Sequence, residues 1–115
     1  MLGEVVLVLP IWRYVSWTMA YDLHLDDGTH LWGIEMREHG ILFWGMPDDS
    51  RLLSRFAHPF RDAVVPRDEI PELIRELEVR IDVEVSAERL SLFRRFLEMA
   101  LIAKERMQGL QSISD

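Results

Sequence analysis

The sequence predicts an α+β fold, with an antiparallel meander of about four strands (residues 4–46) packed on two to three C-terminal helices. Three observations carry this expectation. Residues 17–25 alternate apolar and polar side chains and run into Asp27-Gly28; the apolar period changes from two to about 3.6 after residue 48; and the stretch beyond Ser86 has an apolar arc wider than a surface helix needs.

The alternating stretch is the clearest element. Trp17, Met19, Tyr21, Leu23 and Leu25 fall on one face, with Thr18, Ala20, Asp22, His24 and Asp26 on the other. Asp27-Gly28 supplies the residues of a two-residue type I′ turn. With Asp26 opposite Thr29, the cross-strand partners become Leu23 with Trp32, Tyr21 with Ile34 and Met19 with Met36. A slip of one residue would set the same apolar side chains against Leu31, Gly33 and Glu35. In this register His24 faces Leu31 and His30 turns to the opposite face, so the two histidines diverge.

Strands over Val5–Trp12 and Ile41–Met46 flank this hairpin. Both runs are apolar on both faces, which fits strands covered on two sides, and His39-Gly40 reads as the turn before the second. Pro10 favours an edge position for the first. Beyond Asp48 and Asp49 the pattern turns helical. Arg51–Phe56 reads as a short helix ended by His58-Pro59, and Arg61–Pro66 as a connector. Asp68 is the expected N-cap of a helix with Pro71 in its first turn and Ile70, Leu73, Ile74 and Leu77 on its buried stripe. Glu76 and Arg80 stand at the i,i+4 spacing of an ion pair. Residues 79–85 fit either a strand or a continuation of that helix. Ser86 is the expected N-cap of the last helix, which runs to about Gln108 with Gly109 as its C-cap. On it Leu90, Leu92, Phe93, Phe96, Leu97, Met99, Ala100, Leu101, Ala103 and Met107 sweep roughly 200°, against a stripe of somewhat over 100° on an ordinary surface helix. This helix is expected to pack against two things at once.

The 115 residues, 49% hydrophobic and 29% charged, fit a single domain over residues 1–115 and neither a disordered tail nor a membrane protein. No cysteine is present, so disulfides, thiol nucleophiles and thiolate metal sites are excluded. That absence suits a reducing compartment, and the expected location is the cytoplasm. The apolar run Val5–Ile11 has no basic segment before it and has Pro10 near its end and Arg13 behind it in place of a small-residue cleavage site, so it reads as a strand and not as a leader or membrane span. A formal charge of −7, from 13 basic and 20 acidic side chains, weighs against nucleic acid as a partner.

Catalytic patterns are sparse. The glycines form neither a dinucleotide fingerprint nor a P-loop, and no serine stands in a Gly-x-Ser-x-Gly elbow. Asp22, His24 and Asp26 share a strand face, and Asp22 with Glu35 on adjacent strands is geometrically possible as a glycosidase-like carboxylate pair, of a kind any acidic sheet offers. That acidic and histidine-bearing face supports an alternative reading as a small-molecule- or metal-dependent enzyme. The first reading is a non-catalytic, acidic interaction module with no cofactor, forming a homo-oligomer (dimer) or binding another protein. Its motivation is a second apolar sheet face holding Leu31, Leu42 and Trp44, joined by Trp12 and rimmed by Glu35 and Asp22. Tryptophan is enriched at binding hot spots, and contiguous apolar patches mark interaction surfaces.

Overall fold

The computed structural model describes residues 21–45 and 50–114. The expected strand Val5–Trp12, the residues 17–20 of the alternating stretch, and Trp12 itself lie outside the described residues.

Alternation from Tyr21 onward builds β1 (Tyr21–Leu25), and β2 (His30–Ile34) returns beside it. Two later segments complete the sheet: β3 (Ala63–Val65) and β4 (Leu110–Ser114), in the order β2-β1-β4-β3, every pair antiparallel. Among the described residues the fold is therefore α+β with a four-stranded antiparallel sheet, whose strand order is not that of a meander and whose strands are not confined to residues 4–46. Its central pairing joins β1 to a strand roughly ninety residues away, supplied by residues that had been given no element. The connector 61–66 contains β3.

Pairing of Leu23 with Trp32 and of Tyr21 with Ile34 follows the expected register. The turn does not. Gly28 N–H donates to the Leu25 carbonyl and Leu25 N–H to the Thr29 carbonyl, so Asp26, Asp27 and Gly28 form a three-residue loop with Gly28 at φ +91°. Tertiary bonds select this loop. Asp27 accepts from Thr29 N–H (2.9 Å) and from Gln108 Nε2 (3.0 Å), while Asp26 accepts from Gly109 N–H (2.7 Å). The hydrogen bonds from Thr29 and Gln108 lower the Asp27 pKa to about 2. The extra loop residue is absorbed by an irregularity between Leu23 and His24, where the partner of His24 becomes His30 and Leu31 is left over.

The largest departure lies at residues 36–43, which form helix α1 (Met36–Phe43) in place of the turn and the start of the expected strand. Glu38 reaches back to the Glu35 N–H at 3.1 Å, one half of a capping box. His39, Leu42 and Phe43 are then buried on one side at helical spacing. Gly40 is an exposed mid-helix glycine and not a turn. A short turn of 3-10 helix follows at Leu53–Phe56, where a short helix is expected, and its Leu52 and Leu53 N–H groups donate to the Glu76 carboxylate at 2.9–3.1 Å. Glu76 is thereby drawn away from the expected pair with Arg80.

Helix α2 (Ile70–Val83) buries Ile70, Leu73, Ile74 and Leu77, as its stripe predicts. Its N-cap is Glu69, preceded by a 3-10 turn at Arg67–Glu69, one residue beyond the expected Asp68. Residues 79–83 continue the helix. Ser86 caps α3 (Ala87–Glu105) by accepting from Arg89 N–H at 3.3 Å. At the far end Met107, at φ +57°, takes the left-handed position expected of Gly109. Gln108 N–H donates to the Ala103 carbonyl and Met107 N–H to the Lys104 carbonyl, the two bonds of a Schellman motif.

The inward sheet face and the helices make one core. Tyr21, Leu23, Leu25, Trp32, Ile34, Val65 and Leu110 meet Phe56, Leu73, Leu77, Phe93 and Phe96 there. Phe96 stands edge-on to both Trp32 (6.1 Å between centroids) and Phe56 (5.3 Å). Helix α3 packs against α1 and α2, so the expectation of two partners for its wide arc is met inside the chain. One polar group sits in the inward face. Ser112 accepts from Ala63 N–H at 2.9 Å and donates to the Tyr21 hydroxyl at 2.6 Å, which satisfies a serine only 1% exposed.

Candidate functional site

Formation of α1 redistributes the expected binding residues. Leu42 is fully buried in the core and is not on a free sheet face. Leu31, the residue left over at the β1–β2 irregularity, is half-buried and packs against the core. Glu35 is the exposed N-cap of α1, and Asp22 lies on the outward sheet face. Trp44 follows the last turn of α1, and it is 80% exposed. The expected residues therefore do not form one face.

The backbone at Trp44 is instead tied to a different part of the chain. Arg89, at the start of α3, donates from Nη2 to the carbonyls of Trp44 (2.7 Å) and Leu42 (3.2 Å). Its Nε lies 3.4 Å from a Glu84 carboxylate oxygen, and its guanidinium stands 5.5 Å from the Phe93 ring centre. One side chain thus ties the end of α1 to the turn between α2 and α3. A bidentate cation suits that place, because the last carbonyls of a helix lack intrahelical donors and carry partial negative charge. Beside Glu84 stand Val83 and Val85, 61% and 97% exposed. Arg37 of α1 pairs with Glu88 at 2.7 Å across the same junction. The backbone at Trp44 and the 83–85 segment that carries the exposed Val83 and Val85 are accordingly tied together through Arg89. Sequence reasoning missed the two valines by leaving residues 79–85 ambiguous. Their signal is the Val79, Val83 spacing, a second apolar stripe on a helix whose core stripe is already complete.

The outward sheet face has another character. By register, His30, His24, Gln111 and Val64 form one row across the sheet, and Gly33, Asp22 and Ile113 the next. The row is polar toward β2 and apolar toward β3. His30 Nε2 lies 3.0 Å from Asp22 Oδ1, and the His24 and His30 rings are edge-on at 5.1 Å. These histidines converge, against the sequence expectation, because the three-residue turn shifts His30 by one place and so to the other face. Among the described residues no group of three or more His, Asp or Glu side chains is placed to hold a metal ion. Asp22 and Glu35 lie on different elements, one in β1 and the other capping α1.

His39 is the one buried histidine among the described residues. Its Nε2 donates to the Phe56 carbonyl at 2.8 Å, and its ring packs against Tyr21 and Phe43. Burial lowers its pKa, against the raising effect of the Phe56 carbonyl. It serves as a packed polar tie between α1 and the 3-10 turn. Burial also raises the Tyr21 pKa, only partly offset by the bond from Ser112.

No family model, curated protein or solved structure matches this chain. No helix among the described residues is long and apolar enough to cross a membrane.

Proposed function

We propose that this protein is a non-catalytic interaction module that binds a second copy of itself or another protein through the end formed by Trp44, Val83 and Val85. The observation that carries this reading is the clamped, solvent-facing tryptophan. An indole leaves water at a large gain, about 1.5–3 kcal/mol for a big apolar side chain, and binding orders less of the chain when the backbone that carries it is already fixed. Arg89 supplies that fixing at the Trp44 carbonyl. The exposed Val83 and Val85 flank the Glu84 that Arg89 holds and add apolar surface, and Arg37 and Glu88 supply exposed charge around it. The formal charge of −7 supports a partner with basic groups at its own rim, since complementary charge speeds encounter.

Sedimentation velocity across the micromolar range, combined with capture on immobilised protein, tests the reading. Association or capture is expected from the parent chain and is lost in Trp44→Ser and Val85→Asp. A parent chain that stays monomeric, and from which every captured protein is equally recovered by Trp44→Ser, contradicts it.

A further inference from the structure

The outward sheet face holds a pair of imidazoles whose hydrogen bonds decide their chemistry. His24 Nδ1 lies 3.3 Å from the Gly28 carbonyl, and His30 Nε2 lies 3.0 Å from Asp22 Oδ1. A backbone carbonyl has no proton to donate, and an ionised carboxylate has none either, so the ring nitrogen is the donor in both contacts. Both tautomers follow. In the neutral rings, His24 Nε2 and His30 Nδ1 are left as the nitrogens with free lone pairs. The rings are direct cross-strand partners with centroids 5.1 Å apart. The His30 side chain is 54% exposed, which leaves it open to an ion from solvent. Gly33 makes room for the arrangement: a Cβ there would stand 3.2 Å from Asp22 Oδ1.

An imidazole that donates one nitrogen to a carboxylate or carbonyl and keeps the other free is the form in which histidine ligates metals, with the acceptor fixing ring orientation and raising basicity. Here two such rings stand together. We propose that His24 and His30 bind a late first-row divalent cation through Nε2 and Nδ1, with Asp22 and the Gly28 carbonyl as their outer partners. Imidazole selects zinc, nickel or copper over magnesium and calcium, which take oxygen ligands. Two protein ligands leave the remaining positions to water. The site is therefore of a kind distinct from the three-ligand clusters absent from the described residues. It does not depend on the Trp44 end.

The test is calorimetric titration of the tag-free chain with Ni²⁺ alone near neutral pH, with proton NMR of the histidine rings alongside. One Ni²⁺ per chain is expected, with His24→Ala and His30→Ala each weakening binding at least about tenfold and Asp22→Asn by about 10–100-fold. His58→Ala leaves it unchanged, and Ni²⁺ broadens the ring signals of His24 and His30 before those of His39 and His58. Unaltered melting temperatures show that the three sheet-face variants remain folded. Absence of saturable binding, or binding that survives both His24→Ala and His30→Ala, overturns the proposal. Undiminished affinity in Asp22→Asn overturns the part given to Asp22.

Discussion

Replacing Gly109 by alanine tests the closure of the sheet, because here the chain passes from α3 into β4 against the end of β3. A Cβ at position 109 would lie 2.5 Å from the Val65 carbonyl oxygen, 3.0 Å from Arg67 N and 3.1 Å from Asp26 Oδ1. The first distance is about 0.9 Å short of ordinary van der Waals contact. Two of the three atoms are backbone, so no side-chain rotation relieves the clash. The φ of Gly109 lies outside the left-handed region, so the penalty is steric and not conformational. Relief requires β4 to move away from β3, which overpacking data put at about 1–3 kcal/mol. The same movement stretches the 2.7 Å bond from Gly109 N–H to the Asp26 carboxylate, a charged-acceptor bond that contributes about 1.5–3 kcal/mol. Gly109→Ala should therefore lose about 3–5 kcal/mol, a large share of the 5–15 kcal/mol typical of a domain. Urea unfolding followed by far-ultraviolet circular dichroism measures this directly. Asp26→Asn, which weakens the bond without the clash, should lose about 1–2 kcal/mol. A Gly109→Ala variant within about 0.5 kcal/mol of the parent would refute the reasoning.

Three further outcomes follow from the same structure. Met107→Gly should stabilise the chain by about 0.5–1 kcal/mol, seen as a melting temperature a few degrees higher, because a 66% exposed methionine at φ +57° loses strain and little packing. Ser112→Ala should cost about 1–3 kcal/mol in urea unfolding, because the Ala63 N–H loses its acceptor inside the core. His39 has a folded pKa lowered by burial, so the unfolded chain takes up its proton first. Its stabilising share is complete above about 6.5 and declines as pH falls through that value, and a parallel pH series of His39→Gln should show a shallower decline.

Much of the core was legible from periodicity, while the topology was not. The Tyr21–Leu25 alternation and the Ile70, Leu73, Ile74, Leu77 stripe correctly name their buried faces, since each needs only local spacing. The 3-10 turn at Leu53–Phe56 and the Ser86 cap are likewise local. Residues 36–43 were misread because Gly40 imitates a turn and a short apolar run fits either strand or helix; the deciding signal, Glu38 three residues after Glu35, is a weak form of the capping box. β4 was invisible for a different reason. Its inward Ser112 breaks the apolar alternation, and only the Tyr21 hydroxyl and the Ala63 N–H, both distant in sequence, make that serine acceptable in the core. The β1–β2 turn was decided by Gln108 and Gly109 reaching it from the far end of α3. Of the candidate site, Trp44 kept its exposure while Leu42 entered the core, and part of the wide arc of α3 is covered by α1 and α2 while Leu101 and Met107 stay exposed.

Site-specific photo-crosslinking tests the central claim most directly, with a benzophenone side chain placed at position 44 and, as a control, at position 113 on the outward sheet face. The account predicts a discrete crosslinked product from position 44, to a second copy or to another protein, that weakens when Arg89→Met releases the Trp44 and Leu42 carbonyls. Efficient crosslinking from position 113, with none from position 44, would contradict it.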